Sequence, residues 1–355
     1  MKTPATGLTF RLSALVNMWY NSVVDWRHAS LIITQTPLRI SFAGGGTDFE
    51  GFYETGYGSV VSTAIDKYIY VIVKERFDDL ICVGYTRTEL VQSVDEIKHE
   101  LVREAMRMVG IKRGIEISTM ADIPSEGSGL GSSSTVTVGL LNALYAYKGE
   151  SVSAETLAQL ACKIEIEVLG KPIGKQDQYI AAYGGLRHFR FFGNGGVETT
   201  SICIDESAKH KLFENLLLFY TGSTRKAADV LEEQKSNLVD TMDIHVQMRN
   251  QADELARSLR SGMVEALGMT IRDGWALKRR LASGISNPDI DDLCDAAMSA
   301  GALGCKITGA GGGGFFLVCT HPEKRDAVRC KLSNFVELPI AFSRDGSKVI
   351  FNTRR

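Results

Sequence analysis

Pro124-Ser125-Glu126-Gly127-Ser128-Gly129-Leu130-Gly131-Ser132-Ser133-Ser134 joins a short strand pattern, Ile115 to Met120, to a buried-helix pattern, Ser134 to Tyr147. Gly127, Gly129 and Gly131 let the backbone turn tightly and present N–H groups with no Cβ in the way. The helix that follows brings its positive dipole end to the same place, so phosphate oxygens should bind there. Ser132, Ser133 and Ser134 add hydroxyls suited to phosphate or a magnesium ion. A plain Ser/Gly surface turn is the alternative, but eight Gly or Ser in eleven positions is a costly way to build one. The loop is not a Walker loop, since no G-x-x-x-x-G-K-[ST] occurs in the chain. It is not a dinucleotide fingerprint either, because no strand ending in an acidic residue follows about 20 residues on.

Outward from the loop, Leu31 to Phe42 reads as a strand running into Ala43-Gly44-Gly45-Gly46, and Gly58 to Lys74 and Leu80 to Tyr85 as two more. Lys98 to Val109 and Ala154 to Leu169 have helical spacing, the latter with Ser153 as cap. Gly184 to Phe192, Val197 to Ile204 and Leu216 to Tyr220 read as strands. Helix dominates Lys226 to Leu281 and returns at Asp289 to Ala300 before a Gly-rich turn opens into a strand within Ile307 to Val318. Strands mixed with helices, without strict alternation, predict an α+β fold rather than a doubly wound sheet. No long linker is visible. We expect a poorly ordered extension over 1–30, an N-terminal domain over 31–207 and a C-terminal domain over 208–355.

The bulk properties narrow the function. The 355 residues are 44% hydrophobic and 23% charged, with 40 Lys plus Arg against 42 Asp plus Glu. That balance argues against broad binding to nucleic acid or an anionic membrane. No stretch approaches the roughly 18 apolar residues of a membrane span. Seven scattered cysteines without a C-x-x-C pair read as thiols of a reducing cytoplasm. Glycine, at 35 residues, is in excess, and the excess is bunched around a few turns.

Three separated segments resemble the three motifs of the GHMP kinase superfamily: Thr36-Pro-Leu-Arg-Ile-Ser-Phe-Ala-Gly-Gly-Gly-Thr-Asp48, the loop from Pro124 to Ser134, and Lys306-Ile-Thr-Gly-Ala-Gly-Gly-Gly-Gly314. The first motif's A-G-G-G-T-D is similar to the sugar-phosphate branch, the D-glycero-D-manno-heptose 7-phosphate kinases, with fucokinase-type enzymes close behind. The resemblance implies a two-domain GHMP kinase fold, with a ribosomal-protein-S5-like N-terminal domain and a ferredoxin-like C-terminal domain. It implies ATP and Mg2+ as cofactors, and residues 127–134 (Gly127, Ser128, Gly129, Leu130, Gly131, Ser132, Ser133 and Ser134) as the nucleotide loop. Asp177 becomes the catalytic base or hydroxyl-orienting carboxylate, and Glu165, with Ser133, the magnesium site. Glu167, on another helical face, is expected to be solvated.

Arg39 is expected to place its fixed charge beside Asp177 and the migrating phosphoryl group. Gly44 to Gly46 (Gly45 and Gly46 above all) would give a sugar access to backbone, and Asp48 would accept hydrogen bonds from its hydroxyls. The glycines at 309 and 311–314 would pack against the phosphate loop. A substrate already bearing a phosphate needs a cationic pocket, for which Arg225, Lys175 and Arg187 are candidates. These readings predict a sugar-phosphate 1-kinase giving a 1,7-bisphosphate, cytoplasmic and a monomer or homodimer, whose partner is a small molecule. A kinase for fucose or a uronic acid, or a non-catalytic sugar and ATP sensor, is the alternative.

Overall fold

The computed structural model describes residues 30–124, 127–223 and 227–353. The expected extension over 1–30 lies outside them except for Ser30, and so does Arg225. Twelve strands are described. The first sheet holds β1 (Leu31–Ala43), β2 (Tyr57–Glu75), β3 (Ile81–Gly84), β4 (Thr88–Val91), β5 (Ile115–Ala121), β6 (Leu186–Phe192), β7 (Val197–Ser201) and β12 (Lys348–Asn352). Its order is β12-β1-β2-β5-β3-β4, and β6 also pairs with β2 and carries β7 at its outer side. The second sheet is β11-β8-β10-β9, built from β8 (Leu216–Tyr220), β9 (Ala302–Ile307), β10 (Phe315–Thr320) and β11 (Val336–Glu337).

β1 and β2 carry the β-branched and aromatic residues that fit a pleated, half-buried surface. From Thr36 onward β1 is buried on both faces, covered in part by the helix Ser132–Lys148. Its pairing with β12 covers Ile32 to Gln35 and stops before Pro37, which has no N–H to give a ladder. Pairing with β2 slips between Pro37 and Arg39, a bulge at the point where the strand enters the site. β2 serves two partners in turn, β6 through Tyr57–Thr63 and β5 through Ile69–Glu75.

In the second half, β8, β9, β10 and β11 with their intervening helices follow a βαββαβ order, the ferredoxin-like succession, with four helices described between β8 and β9. A linear division at 207/208 is crossed by β12, which comes last in the chain and completes the first sheet. The sequence reading ended before it, because its five residues are all exposed and carry no alternation of burial. The helix expected over Ala154–Leu169 is α-helical only to Cys162, and Lys163–Val168 is a π-helical turn. All seven cysteines are unpaired. Among the described residues no helix is long and apolar enough to cross a membrane.

The two halves also meet through polar contacts. The helix Met242–Arg260 lays Asp253 and Arg260 against β2 and β6. Arg260 can only donate, so His188 Nδ1 accepts its bond (3.2 Å) and Nε2 carries the proton, facing Asp253 Oδ1 at 3.0 Å. Ser59 Oγ donates to the same carboxylate at 2.9 Å, Tyr57 adds a third contact and Arg190 a fourth. Burial, with Arg190 and Arg260 nearby, outweighs the pull of Asp253 and brings His188 down to about 4. Between that value and the ordinary 6.5, the unfolded chain binds the extra proton, so stability is lost as pH falls through this window. We expect about 2 kcal/mol of this loss between pH 7 and pH 5. In thermal melts across that range, His188→Gln should show a shallower decline than the wild type. Parallel declines would assign the acid sensitivity elsewhere.

Candidate active site

The phosphate loop is built as its glycines require. Gly127, Gly129 and Gly131 have φ of +67°, +72° and +80°, the left-handed region closed to most side chains. Gly131 stands at the N-terminus of Ser132–Lys148 with no side chain capping it, so the first N–H groups of the helix are left for a ligand. The third motif holds the loop from behind. A Cβ on Gly129 would lie 2.5 Å from Thr308 O, and one on Gly309 would lie 2.5 Å from the Gly129 Cα. Phe315 N donates to Ser128 O (3.2 Å), which anchors the same contact. Gly127, Ser128, Gly129 and Gly131, with Ser132, Ser133 and Ser134, line one cavity together with Glu165, Lys171, Arg39 and Asp177, while the Leu130 side chain is buried in the core instead.

Arg39 is buried and fully engaged. Its backbone N–H donates to Leu130 O (3.1 Å) and Nη1 to Gly129 O (2.7 Å). Nε and Nη2 donate to the two oxygens of Asp177, both at 2.6 Å, a bidentate pair. Asp177 sits in the first turn of Gln176–Tyr183, where the helix dipole favours a carboxylate. On the far side of this pair a second cavity opens, lined by Ser41, the glycines 44–46, Asp48, Gln176, Lys278 and Lys306 among others. Arg39 and Asp177 belong to both cavities.

Asp48 is wholly buried, and burial raises its pKa, opposed by the backbone N–H of Gln176. It accepts from Gln176 N (3.1 Å), Gln176 Nε2 (3.2 Å) and Gly46 N (3.0 Å). A Cβ on Gly174 would fall 2.0 Å from its Oδ2, which explains the glycine there. Gly45 and Gly46 line the same cavity. Glu165 is fully buried in the π-helical turn, an irregularity frequent at functional sites. It accepts from Ser133 Oγ (3.1 Å) and Ser134 Oγ (3.3 Å), and burial raises its pKa against the opposing charge of Lys171. Glu167 is exposed.

Lys175 does not join this group. It precedes the helix Gln176–Tyr183 and its Nζ is turned onto the Tyr53 ring, 4.9 Å from the centroid, so it lines neither cavity. Arg187 is also held elsewhere, donating to Gly184 O (2.8 Å) and lying over the Tyr183 ring. The cations that do reach the second cavity are Lys278 and Lys306. Lys306 opens the third motif but was read only as part of its glycine turn, and Lys278 ends a helix without any motif of its own. Nothing local in the sequence marks either as inward-facing.

A third cavity adjoins the loop through Ser132 and Ser133, with Ile69, Leu101 and Met120 in its walls and the Tyr85 and His99 rings in edge contact 4.8 Å apart.

A glycine-rich anion cradle on a helix N-terminus, facing a carboxylate clamped by arginine, defines a phosphotransferase. The chain belongs to the GHMP kinases: residues 93–185 match the GHMP kinases N terminal domain and residues 253–338 the GHMP kinases C terminal domain. It is 29% identical over 335 residues to the D-glycero-alpha-D-manno-heptose 7-phosphate kinase of Campylobacter jejuni, covering 89% of this chain and 98% of that one. The L-fucokinase/L-fucose-1-P guanylyltransferase of Bacteroides fragilis is 25% identical over 90% of this chain and 38% of its own length. Among solved structures, a D-glycero-D-manno-heptose 1-phosphate kinase from Bacteroides thetaiotaomicron has a TM-score of 0.75 at 23% identity, over 90% of this chain and 99% of that one. These relatives are phosphotransferases with an alcohol group as acceptor.

Proposed function

We propose that the chain is an ATP-dependent sugar 1-kinase. In this reading it transfers the γ-phosphoryl group to the anomeric hydroxyl of a sugar phosphate, D-glycero-D-manno-heptose 7-phosphate, giving the 1,7-bisphosphate. The observation that carries the reading is the meeting of the loop cavity and the glycine-lined cavity at Arg39 and Asp177. A donor phosphate in the first and a hydroxyl in the second would face each other across that pair. The heptose acceptor is supported by the relative that matches along nearly its whole length.

The loop N–H groups and the start of Ser132–Lys148 hold the donor phosphates. The third cavity beside them, with Ile69, Leu101 and Met120 in its walls, takes the flat nucleobase. Arg39 fixes the Asp177 carboxylate with both oxygens aligned, and Asp177 accepts the proton of the attacking hydroxyl. Arg39 also keeps a permanent positive charge where negative charge develops. Asp48 and the backbone at Gly45 and Gly46 orient the sugar.

Glu165 and Ser133 suit Mg2+: a buried carboxylate without an ion pair among the described residues, beside a hydroxyl, is a hard oxygen donor set that nucleotide phosphates and water complete. Bound there, the metal would neutralise charge on the phosphates. The seven unpaired cysteines support a cytoplasmic setting, and a monomer or homodimer suffices, since every residue invoked comes from one chain.

The test is ADP release with heptose 7-phosphates, L-fucose, galactose and uronic acids as acceptors. We expect turnover with a heptose 7-phosphate at least tenfold above the unphosphorylated sugars. Turnover confined to unphosphorylated sugars would overturn the sugar-phosphate reading.

A further inference from the structure

The acceptor cavity contains more positive charge than its carboxylates account for. Arg39 is already committed to Asp177 and to Gly129 O. Lys306 is buried and Lys278 half-buried in the wall, and among the described residues neither forms an ion pair. Lys278 Nζ donates to the Gly309 carbonyl, and Lys306 Nζ to the carbonyls of Ser41 (2.6 Å) and Phe42 (3.3 Å). Carbonyl dipoles orient an ammonium but do not neutralise it.

Each ammonium has three protons to donate, so two remain on Lys278 and one on Lys306. Ser41 Oγ, in the same wall and almost wholly buried, has no hydrogen-bond partner. Burying unpaired cations and an unpartnered hydroxyl is expensive unless a ligand completes them. The strain is visible in the lysines. Desolvation, then the neighbouring Arg39 charge, brings Lys278 down to about 8, and desolvation, Lys278 and Arg39 hold Lys306 well below its ordinary range.

We infer that Lys278, Lys306 and Ser41 form the seat of a phosphomonoester carried by the acceptor. The three free ammonium protons and the hydroxyl match the three outer oxygens of such a dianion. Neither lysine lines the loop cavity, so the anion they await is not a phosphate of the nucleotide. The seat also discriminates: a neutral sugar leaves two cations of the wall, one of them fully buried, without a counter-charge, and so is rejected by what it lacks. The cationic pocket expected of Arg225 and Lys175 is thus supplied by a helix end and by the first residue of the third motif. The inference rests on the reading of this cavity as the acceptor site.

The experiment compares the wild type with Lys278→Met, Lys306→Met and Ser41→Ala. Calorimetric binding and ADP release are measured with D-glycero-D-manno-heptose 7-phosphate and with the unphosphorylated heptose, and ATP binding reports the fold. Each lysine variant should weaken heptose 7-phosphate binding about 10- to 100-fold, the range for a charged hydrogen bond, and Ser41→Ala several-fold. ATP binding should stay within a few-fold of the wild type, and the lysine variants should bind the free heptose no more weakly than the wild type, since each removes a cation that a neutral sugar leaves without a counter-charge. Equal losses with both sugars, or none, would overturn the phosphate seat while leaving the kinase reading intact. Lysine-dependent binding of heptose 7-phosphate without ADP release would keep the seat and overturn the kinase reading. If Lys306→Met loses ATP binding through misfolding, Lys278→Met and Ser41→Ala decide by the same criteria.

Discussion

Asp177→Ala should lower kcat by roughly 10³-fold, within the usual range for removing a positioned general base, with ATP affinity within a few-fold of wild type. Among the described residues the carboxylate is the one acidic group that lines both cavities, and Arg39, which lines both beside it, cannot take up a proton. The substitution also strands the buried Arg39 guanidinium, which keeps only Gly129 O as a side-chain acceptor. Some fall in melting temperature is therefore expected with the loss of activity, and Asp177→Asn separates the two. The amide retains a contact to Arg39 but cannot take the hydroxyl proton. If Asp177→Asn turns over as slowly as the alanine variant, proton acceptance carries the effect. Near-normal turnover in the asparagine variant would reduce the residue to orienting the hydroxyl, and wild-type turnover in both would remove Asp177 from the mechanism. Single-turnover ADP formation is the measurement.

Gly129→Ala is expected to be the most disruptive single methyl in the molecule's nucleotide site. The residue is left-handed, which costs a non-glycine roughly 1–2 kcal/mol. Its new Cβ would also meet a backbone carbonyl at 2.5 Å, and that carbonyl belongs to the glycine turn bracing the loop. Neither segment can retreat without displacing the other. We expect destabilisation of about 3 kcal/mol or more in denaturant titration and at least tenfold weaker ATP binding. Gly170→Ala is the control: φ is +64° there, but nothing lies within 4 Å of the added carbon. It should cost only the conformational part, about 1 kcal/mol, and leave ATP binding alone. Equal effects at the two positions would mean that the interlock with Thr308 and Gly309 contributes nothing.

What the sequence made legible follows its local chemistry. Strands with β-branched or continuous apolar runs, such as Leu31–Ala43 and Leu216–Tyr220, lie almost where their pattern puts them. The glycine loops were readable because left-handed backbone and close approach leave few other residues possible. The π-helical turn was not, since Lys163–Val168 keeps a helical pattern and only the burial of Glu165 exposes the change of winding. Charge was harder still. Lys175 is adjacent in sequence to the Asp177 segment yet points to Tyr53, while Lys278 and Lys306 reach the cavity from elements over a hundred residues away. Proximity along the chain is a poor guide to which cation shares a cavity. The direction in which each backbone element presents its side chain decides that, and direction is a tertiary property.

The strand Lys348–Asn352 has a consequence for how the molecule comes into being. It pairs with Ile32 to Gln35, so the first described strand waits for a partner made more than three hundred residues later. The sheet that carries Arg39 therefore keeps one margin unpaired until the second sheet and its helices have been made. Its closure reports that the segments on both sides of the site are present together.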